Sequence, residues 1–130
     1  MCSSCSVHTD GVWSHMVKGG RLKTPDNLSG ADFQISNVDT ERIEILPQGI
    51  RIERKAFEST IHYLRTHDHY STSPCEIRSN NDRNLSGPLC LASRDQNRDT
   101  RCVNYILPIL ESLGIVKTDG NRPNKAWLVC

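Results

Sequence analysis

The sequence predicts one α+β domain that contains a β-hairpin, three helices and a second β-hairpin, in that order. Three observations support this prediction. Apolar and polar residues alternate on both sides of Pro47-Gln48-Gly49, an amphipathic run covers residues 100–113, and a second pair of short apolar segments ends the chain. Alternation is typical of half-buried strands, whereas apolar residues three and four positions apart are typical of helices. The length of 130 residues suits one domain with its own core.

The first hairpin is predicted from residues 43–46 and 50–53. Pro47 and Gly49 between them supply the turn geometry, and each strand has one apolar face. After this hairpin, residues with helical spacing predict an amphipathic helix from Arg54 to about Thr66. Those residues are Ala56, Phe57, Thr60, Ile61 and Leu64.

Two further helices are expected. The hydroxyl residues 71–73 followed by Pro74 predict the start of a short second helix, which includes residues 75–77 and ends near residue 80. A polar connection then runs to about Asp99. The last helix is predicted over residues 99–113, with Asp99 or Thr100 as its cap, Pro108 as a kink and Gly114 as its stop.

The second hairpin is predicted from residues 115–116 and 125–129, with a turn at residues 119–121. The apolar stripes of the helices and this hairpin together define the expected core. Its members are Phe57, Ile61, Leu64, Val103, Ile106, Leu107, Leu110, Leu113, Ile115, Trp127 and Leu128.

The domain is expected to cover residues 39–130 and to follow a flexible tail at residues 1–38. This tail is rich in Ser, Gly, Asp and Asn and has no sustained periodicity, apart from a short strand near residues 33–35. The hydrophobic fraction of 36% is low for a compact protein, which favours an unstructured part of this size.

The composition limits the classes of partner and compartment. The formal net charge is only +1, so no global positive field attracts nucleic acid. Residues 76–130 hold a small excess of positive charge, with eight basic and six acidic groups. Six irregularly spaced cysteines and the lack of a long apolar run indicate a cytoplasmic protein with reduced thiols and no membrane partner.

The final helix followed by a hairpin, with a short helical pair upstream, resembles the winged helix-turn-helix superfamily. The resemblance implies a three-helix core with a C-terminal wing, and a protein that binds double-stranded DNA in a regulatory or accessory role. In that superfamily the last helix enters the major groove with its N-terminus first, and the wing contacts the backbone or minor groove. Many members of that superfamily bind two DNA half-sites as a pair of subunits, so the resemblance is also compatible with a homodimer.

Several polar residues fit this DNA-binding interpretation. Arg94, Arg98 and Arg101 precede or begin the last helix, and an arginine fork matches phosphate or guanine in two bonds. Asn104 and Tyr105 face away from the apolar stripe. Arg122 and Lys125 would be the wing contacts. The interleaved Asp95 and Asp99 leave open the alternative that the arginines are ion-paired surface charges.

A winged helix also serves as a protein-interaction module without DNA binding, and the near-neutral charge favours that alternative. In the leading interpretation of the sequence, the protein has no cofactor and no bound metal. Two weaker metal patterns exist. His62, His67 and His69 lie close together, and the N-terminal pair Cys2 and Cys5 precedes histidines at positions 8 and 15 with the inner spacing of a zinc knuckle.

An enzymatic alternative comes from Pro25-Asp26 and the later Glu53-Arg54-Lys55. These residues resemble the signature of restriction-type nucleases, in which two carboxylates hold magnesium and a lysine positions or activates water. The resemblance transfers only to Asp26, Glu53 and Lys55. Because no phosphate loop or nucleophile elbow accompanies it, an enzyme is the minority interpretation.

Overall fold

The computed structural model describes residues 9–16, 18–28 and 30–129 of the chain. Its N-terminal part contains helix α1 (Thr9–Ser14) and four strands. The strands are β1 (Arg21–Lys23), β2 (Asp32–Val38), β3 (Arg42–Leu46) and β4 (Ile50–Glu53). They form an antiparallel sheet in the order β1-β2-β3-β4, so each strand pairs with the next along the chain.

The C-terminal part contains three helices and a second antiparallel sheet. Its elements are α2 (Arg54–Thr66), β5 (Cys75–Glu76), a 3-10 turn (Arg83–Leu85), α3 (Pro88–Arg94), α4 (Val103–Ser112), β6 (Val116–Asp119) and β7 (Lys125–Leu128). The strand order of this sheet is β5-β7-β6. The predicted α+β class is therefore confirmed. No helix among the described residues is long and apolar enough to span a membrane.

The N-terminal sheet extends into the segment that the sequence suggested was a tail. Residues 21–23 and 32–38 are strands, and Phe33 and Ile35 are buried in the core. The prediction of a flexible segment up to residue 38 is therefore wrong for β1 and β2. The polar residues that suggested a tail alternate with these apolar ones, because only one face of β2 points inward. Residues 1–8 lie outside the described part.

The second helix lies at a different place from the one predicted. Residues 75–76 form strand β5, which pairs with β7, so the helix predicted there does not exist. The second helix of this half is α3, which starts at Pro88 after Gly87. Cys75 and Ile77 are both buried while Glu76 is exposed. This alternation is that of a strand, and a run of only three residues could not reveal its period.

The other predicted elements are close to the observed ones. Helix α2 has the predicted bounds, and β3 and β4 pair across the predicted turn. Gly114 follows α4 with φ of +78°, a backbone conformation that glycine adopts without strain. Eight of the eleven predicted core residues are buried, and Leu113, Ile115 and Trp127 are half-buried.

Helix α4 is the most buried helix of the C-terminal half. Seven of its ten residues are buried, from Val103 to Leu110 with Asn104 as the exception. The N-terminal sheet covers one side of α4, where Phe33 of β2 packs edge-on against Tyr105 with ring centroids 5.2 Å apart. The two parts of the chain therefore share one core, to which α1 adds Val12 and a Trp13–Phe57 ring contact.

A polar junction joins the end of the first sheet to the loop before α4. The Asn97 side chain, which is 2% exposed, accepts a hydrogen bond from the Glu53 backbone N–H at 2.8 Å. The carboxylate of Glu53 in turn accepts the Nε–H of Arg42 at 2.8 Å. These bonds satisfy a backbone donor at the start of α2, where a helix has no partner of its own. They also fix the α3–α4 loop relative to the first sheet.

Candidate functional site

A polar cleft lies where the β1–β2 connection, the start of α4 and the β6–β7 loop meet. Its volume is about 420 Å³. The residues that carry its polar lining are Asp26, Ser79, Arg101, Asn104, Arg122 and Asn124. They come from four separate segments of the chain, so only the folded protein assembles the cleft.

Hydrogen bonds hold one wall of this polar cleft in place. The Asn27 backbone N–H donates to the carbonyl oxygen of Gly120 at 2.9 Å, and its side chain donates to Asn121 Oδ1 at 3.1 Å. A Cβ at Gly120 would clash with the Asn27 side chain, so a larger residue there would displace that side chain from its hydrogen bond with Asn121. Arg122 donates to Asp26 Oδ2 at 2.7 Å, and this salt bridge raises the pKa of Arg122.

Three polar groups that line the cleft have no hydrogen-bond partner among the described residues. Asn104 Oδ1 and Ser79 Oγ are buried atoms without a partner in that part of the chain. Arg101 is half-buried and forms no hydrogen bond or ion pair within the same ranges. Buried polar atoms are normally satisfied, so each unpaired one calls for an explanation. All three line the same cavity.

The cleft brings together four of the seven residues that the sequence suggested for DNA contact. Arg101, Asn104, Tyr105 and Arg122 all line it. Tyr105 contributes little polar surface, because its ring is 5% exposed and packs on Phe33. Ser79 also lines the cleft but was not predicted, since it lies in a polar stretch with no local pattern.

The remaining three predicted residues lie elsewhere. Lys125 is half-buried on β7. Arg98 is exposed, and both it and Asp99 have positive φ values, +55° and +57°. Two consecutive non-glycine residues in this region store strain that the surrounding contacts must balance. Asp99 contributes such contacts, because Arg83 donates to its carboxylate at 2.7 Å and its backbone N–H donates to the Arg94 carbonyl at 2.8 Å.

Arg94 is buried and supports the fold rather than forming part of the surface. It is 5% exposed, and its guanidinium donates to the carbonyl oxygens of Asn80, Asn81 and Asp99 and to Ser86 Oγ, at 3.0–3.2 Å. It also lies 3.1 Å from the Asp99 carboxylate. A guanidinium with these partners cannot reach a phosphate, so the prediction that Arg94 contacts DNA is wrong.

The histidine cluster does not assemble a metal site. Tyr63, His67 and His69 form nearly parallel rings, with 4.1 Å between the centroids of Tyr63 and His67 and 6.2 Å between those of the two histidines. The Nδ1 atoms of His67 and His69 each face a backbone carbonyl, at 3.0 and 2.8 Å. Within the described ranges, no three His, Cys, Asp or Glu residues are arranged to hold a metal ion. Cys2, Cys5 and His8 lie outside those ranges.

The predicted nuclease carboxylates are far apart in the fold. Asp26 lies in the β1–β2 connection and is bound by Arg122, whereas Glu53 ends β4 and is bound by Arg42. Strand pairing places these positions at opposite ends of the first sheet, because the connection that holds Asp26 joins the Lys23–Asp32 end of β1 and β2, while Glu53 pairs with Arg42 near the other end of β2. Two carboxylates that share a magnesium ion must lie side by side. The nuclease interpretation is therefore wrong for this pair.

The thiols of the core have no chemical activation. Cys75, Cys90 and Cys102 are free and buried. Burial raises the pKa of Cys75 to about 11 and that of Cys102 to about 12. A thiol with such a pKa holds little thiolate at neutral pH, so these residues act as small apolar side chains.

Comparisons with protein-family models, with curated proteins and with solved structures found no match to this chain.

Replacing Arg94 should test its structural role. Arg94→Leu leaves several buried acceptors without a donor and should lower the free energy of unfolding by about 3 kcal/mol. The exposed Arg98 provides a matched control, and Arg98→Leu should change the same quantity by less than about 0.5 kcal/mol. Urea unfolding of both variants gives the comparison. Equal stability of the two variants would contradict the assignment.

Stability should also depend on the ionisation of Glu53. The hydrogen bond from Arg42 holds the pKa of Glu53 below its ordinary value. A lowered carboxyl pKa stabilises the folded state above the unfolded pKa of about 4.3, and this contribution is lost as the pH falls through the folded pKa. Glu53→Gln should therefore be less stable than the wild type at neutral pH, and the difference should shrink below about pH 4. Thermal unfolding at several pH values measures this, and a difference independent of pH would contradict it.

Proposed function

We propose that residues 54–128 form a winged-helix module that binds double-stranded DNA with the end of the molecule around the polar cleft. The observation that carries this proposal is Arg101, which lies just before α4, has no hydrogen-bond or ion-pair partner within residues 9–16, 18–28 and 30–129, and lines the cleft together with Arg122 of the β6–β7 loop. Phosphate contacts supply most of the affinity of DNA-binding proteins, and arginine forms them in two bonds. The module resembles a winged helix in having three helices that precede a hairpin.

The strand pairing agrees with that resemblance. The element order is α2, β5, α3, α4, β6 and β7, and β7 lies between β5 and β6. In this interpretation α4 is the DNA-proximal helix and the β6–β7 loop is the wing. The loop of eight residues between α3 and α4 is longer than a usual helix-turn-helix connection, and it carries the exposed Arg98.

The burial of α4 determines which part of it can touch DNA. A recognition helix normally places one long face in the major groove. Here the first sheet covers α4, and from Tyr105 to Leu110 every residue is buried. Its N-terminal end and the preceding loop are more open, and Arg98, Arg101 and Asn104 lie there. At the other end of the helix, Glu111 and Ser112 are exposed as well. The proposed contact is therefore end-on, to the phosphate backbone, with Arg122 and Lys125 from the wing.

A protein-interaction module is the second candidate, and one observation favours it. A large, mostly apolar groove of about 920 Å³ lies beside β1 and the end of β3. Leu22, Leu46 and Pro47 line it, and Leu46 is 41% exposed. Exposed apolar surface of this kind is typical of protein contact sites. The burial of the side of α4 by the first sheet is also compatible with a protein-interaction module.

Duplex DNA binding should depend steeply on salt. Because each neutralised phosphate releases counterions, three or four arginine and lysine contacts should weaken binding roughly tenfold or more between about 50 and 200 mM salt. Arg98→Ala/Arg101→Ala should bind more weakly and show a shallower salt dependence. Fluorescence anisotropy with a mixed-sequence duplex measures both quantities.

Arg51→Ala is the matched control, because Arg51 is an exposed arginine on β4, away from the polar cleft. It should bind DNA like the wild type. Equal weakening by both replacements would mean that charge alone matters and would reject the proposed surface. No binding of the wild type at the lower salt concentration would reject DNA binding and leave the interaction module as the better candidate.

A further inference from the structure

We propose that the polar cleft binds a single nucleotide unit, with its phosphate on Arg101 and its base near Asn104 and Ser79. This inference deepens the proposed DNA-binding function and rests on it for the source of the ligand. The same chemistry is offered by a free nucleoside 5′-phosphate and by an unpaired nucleotide of a DNA strand. The experiment below distinguishes these sources.

The charges of the cleft favour an anion. Arg101 and Arg122 bring two positive charges, and Asp26 brings one negative charge that Arg122 already binds at 2.7 Å. The Asp26 side chain is only 16% exposed, whereas that of Arg122 is 56% exposed, so the carboxylate is the more buried member of this pair. Arg101 is then left as the cation without a described partner. A phosphate on Arg101 would supply the charge-assisted bonds that this guanidinium lacks.

The unpaired neutral atoms favour a ligand larger than an inorganic anion. Asn104 Oδ1 is an acceptor and therefore needs a donor, which a phosphate dianion does not have. Ser79 Oγ can donate or accept. Each nucleobase presents N–H donors and acceptors side by side on its edge, so a base could satisfy both atoms. A ligand that combines a phosphate with such an edge fits all three unpaired groups.

The size of the cleft agrees with this class of ligand. Its volume of about 420 Å³ lies within the range of about 300–1,000 Å³ that is usual for small-molecule sites. A phosphate ion would leave most of this space empty. The Asn27–Gly120 contact holds the wall formed by the β1–β2 connection against the β6–β7 loop.

Isothermal titration of the full chain with the four deoxynucleoside 5′-phosphates, the matching nucleosides and inorganic phosphate tests the proposal. At least one nucleotide should bind more tightly than its nucleoside and than phosphate alone. Arg101→Gln should weaken nucleotide binding at least about tenfold and leave nucleoside binding less affected. Asn104→Ala and Ser79→Ala should reduce the advantage of the nucleotide over phosphate. Arg51→Gln, outside the cleft, should have no effect.

Two DNA probes separate this proposal from the proposed function. A duplex with one unpaired nucleotide should bind more tightly than the same duplex without it, and Asn104→Ala should remove that difference. The cleft proposal would be overturned, and DNA binding left intact, by the following outcome. The duplex affinity changes neither with the unpaired nucleotide nor with Asn104→Ala, and no free nucleotide binds. Nucleotide binding without any duplex binding would assign the cleft to free nucleotides and overturn the DNA function. Equal binding of phosphate and nucleotides would also overturn the cleft proposal.

Discussion

The burial of α4 is the constraint on which the rest of the structure depends. This helix contacts the first sheet on one side and strand β6 on another, so both halves of the chain use it as their common core. Its side chains from Tyr105 to Leu110 are buried, which removes the water-exposed face that an amphipathic helix normally keeps. The apolar composition of this segment, with isoleucines and leucines at consecutive positions, fits a helix covered on several sides.

This constraint also locates the functional surface. Because the middle of α4 is covered, its accessible polar residues lie at its two ends, and the one that lines the polar cleft, Asn104, lies at the N-terminal end, where the chain enters from the α3–α4 loop. The three arginines near this point then have distinct roles. Arg94 holds the loop from inside, Arg98 is exposed at a strained position, and Arg101 faces the polar cleft. Their spacing in the sequence is nearly regular, so the sequence does not tell which arginine supports the fold and which lines the cleft. Only their surroundings in the folded protein distinguish these roles.

The sequence predicted the elements that have enough residues to show a period. Helix α2 spans 13 residues and the β3–β4 hairpin spans 12, from Arg42 to Glu53, and the predicted positions of both are close to the observed ones. Strand β5 has two residues and α3 has seven, so neither could display its own pattern, and each takes its conformation from its neighbours. For β5 that neighbour is β7, which lies about 50 residues later in the chain.

The candidate site was predictable only in part, for a similar reason. Arg101, Asn104 and Arg122 were identified because arginine and amide side chains near a helix start suggest phosphate or base contacts. The contact between Asn27 and Gly120 joins residues about 90 positions apart, which no local pattern encodes. The place of Ser79 in the cleft likewise depends on segments that are distant in the sequence. The sequence suggests Asp26 as a metal ligand, but in the fold Asp26 lies beside Arg122 and forms an ion pair with it.

The most direct test of the account is a nuclear magnetic resonance titration of the ¹⁵N-labelled protein with a short DNA duplex. If α4 is a core helix that contacts DNA only at its end, the amide signals of Arg101, Asn104 and Asn124 should shift on binding. Those of Leu107, Ile109 and Leu110 should stay in place. Shifts along the whole length of α4 would mean that the first sheet moves away and that the helix side reads DNA, which would contradict the account.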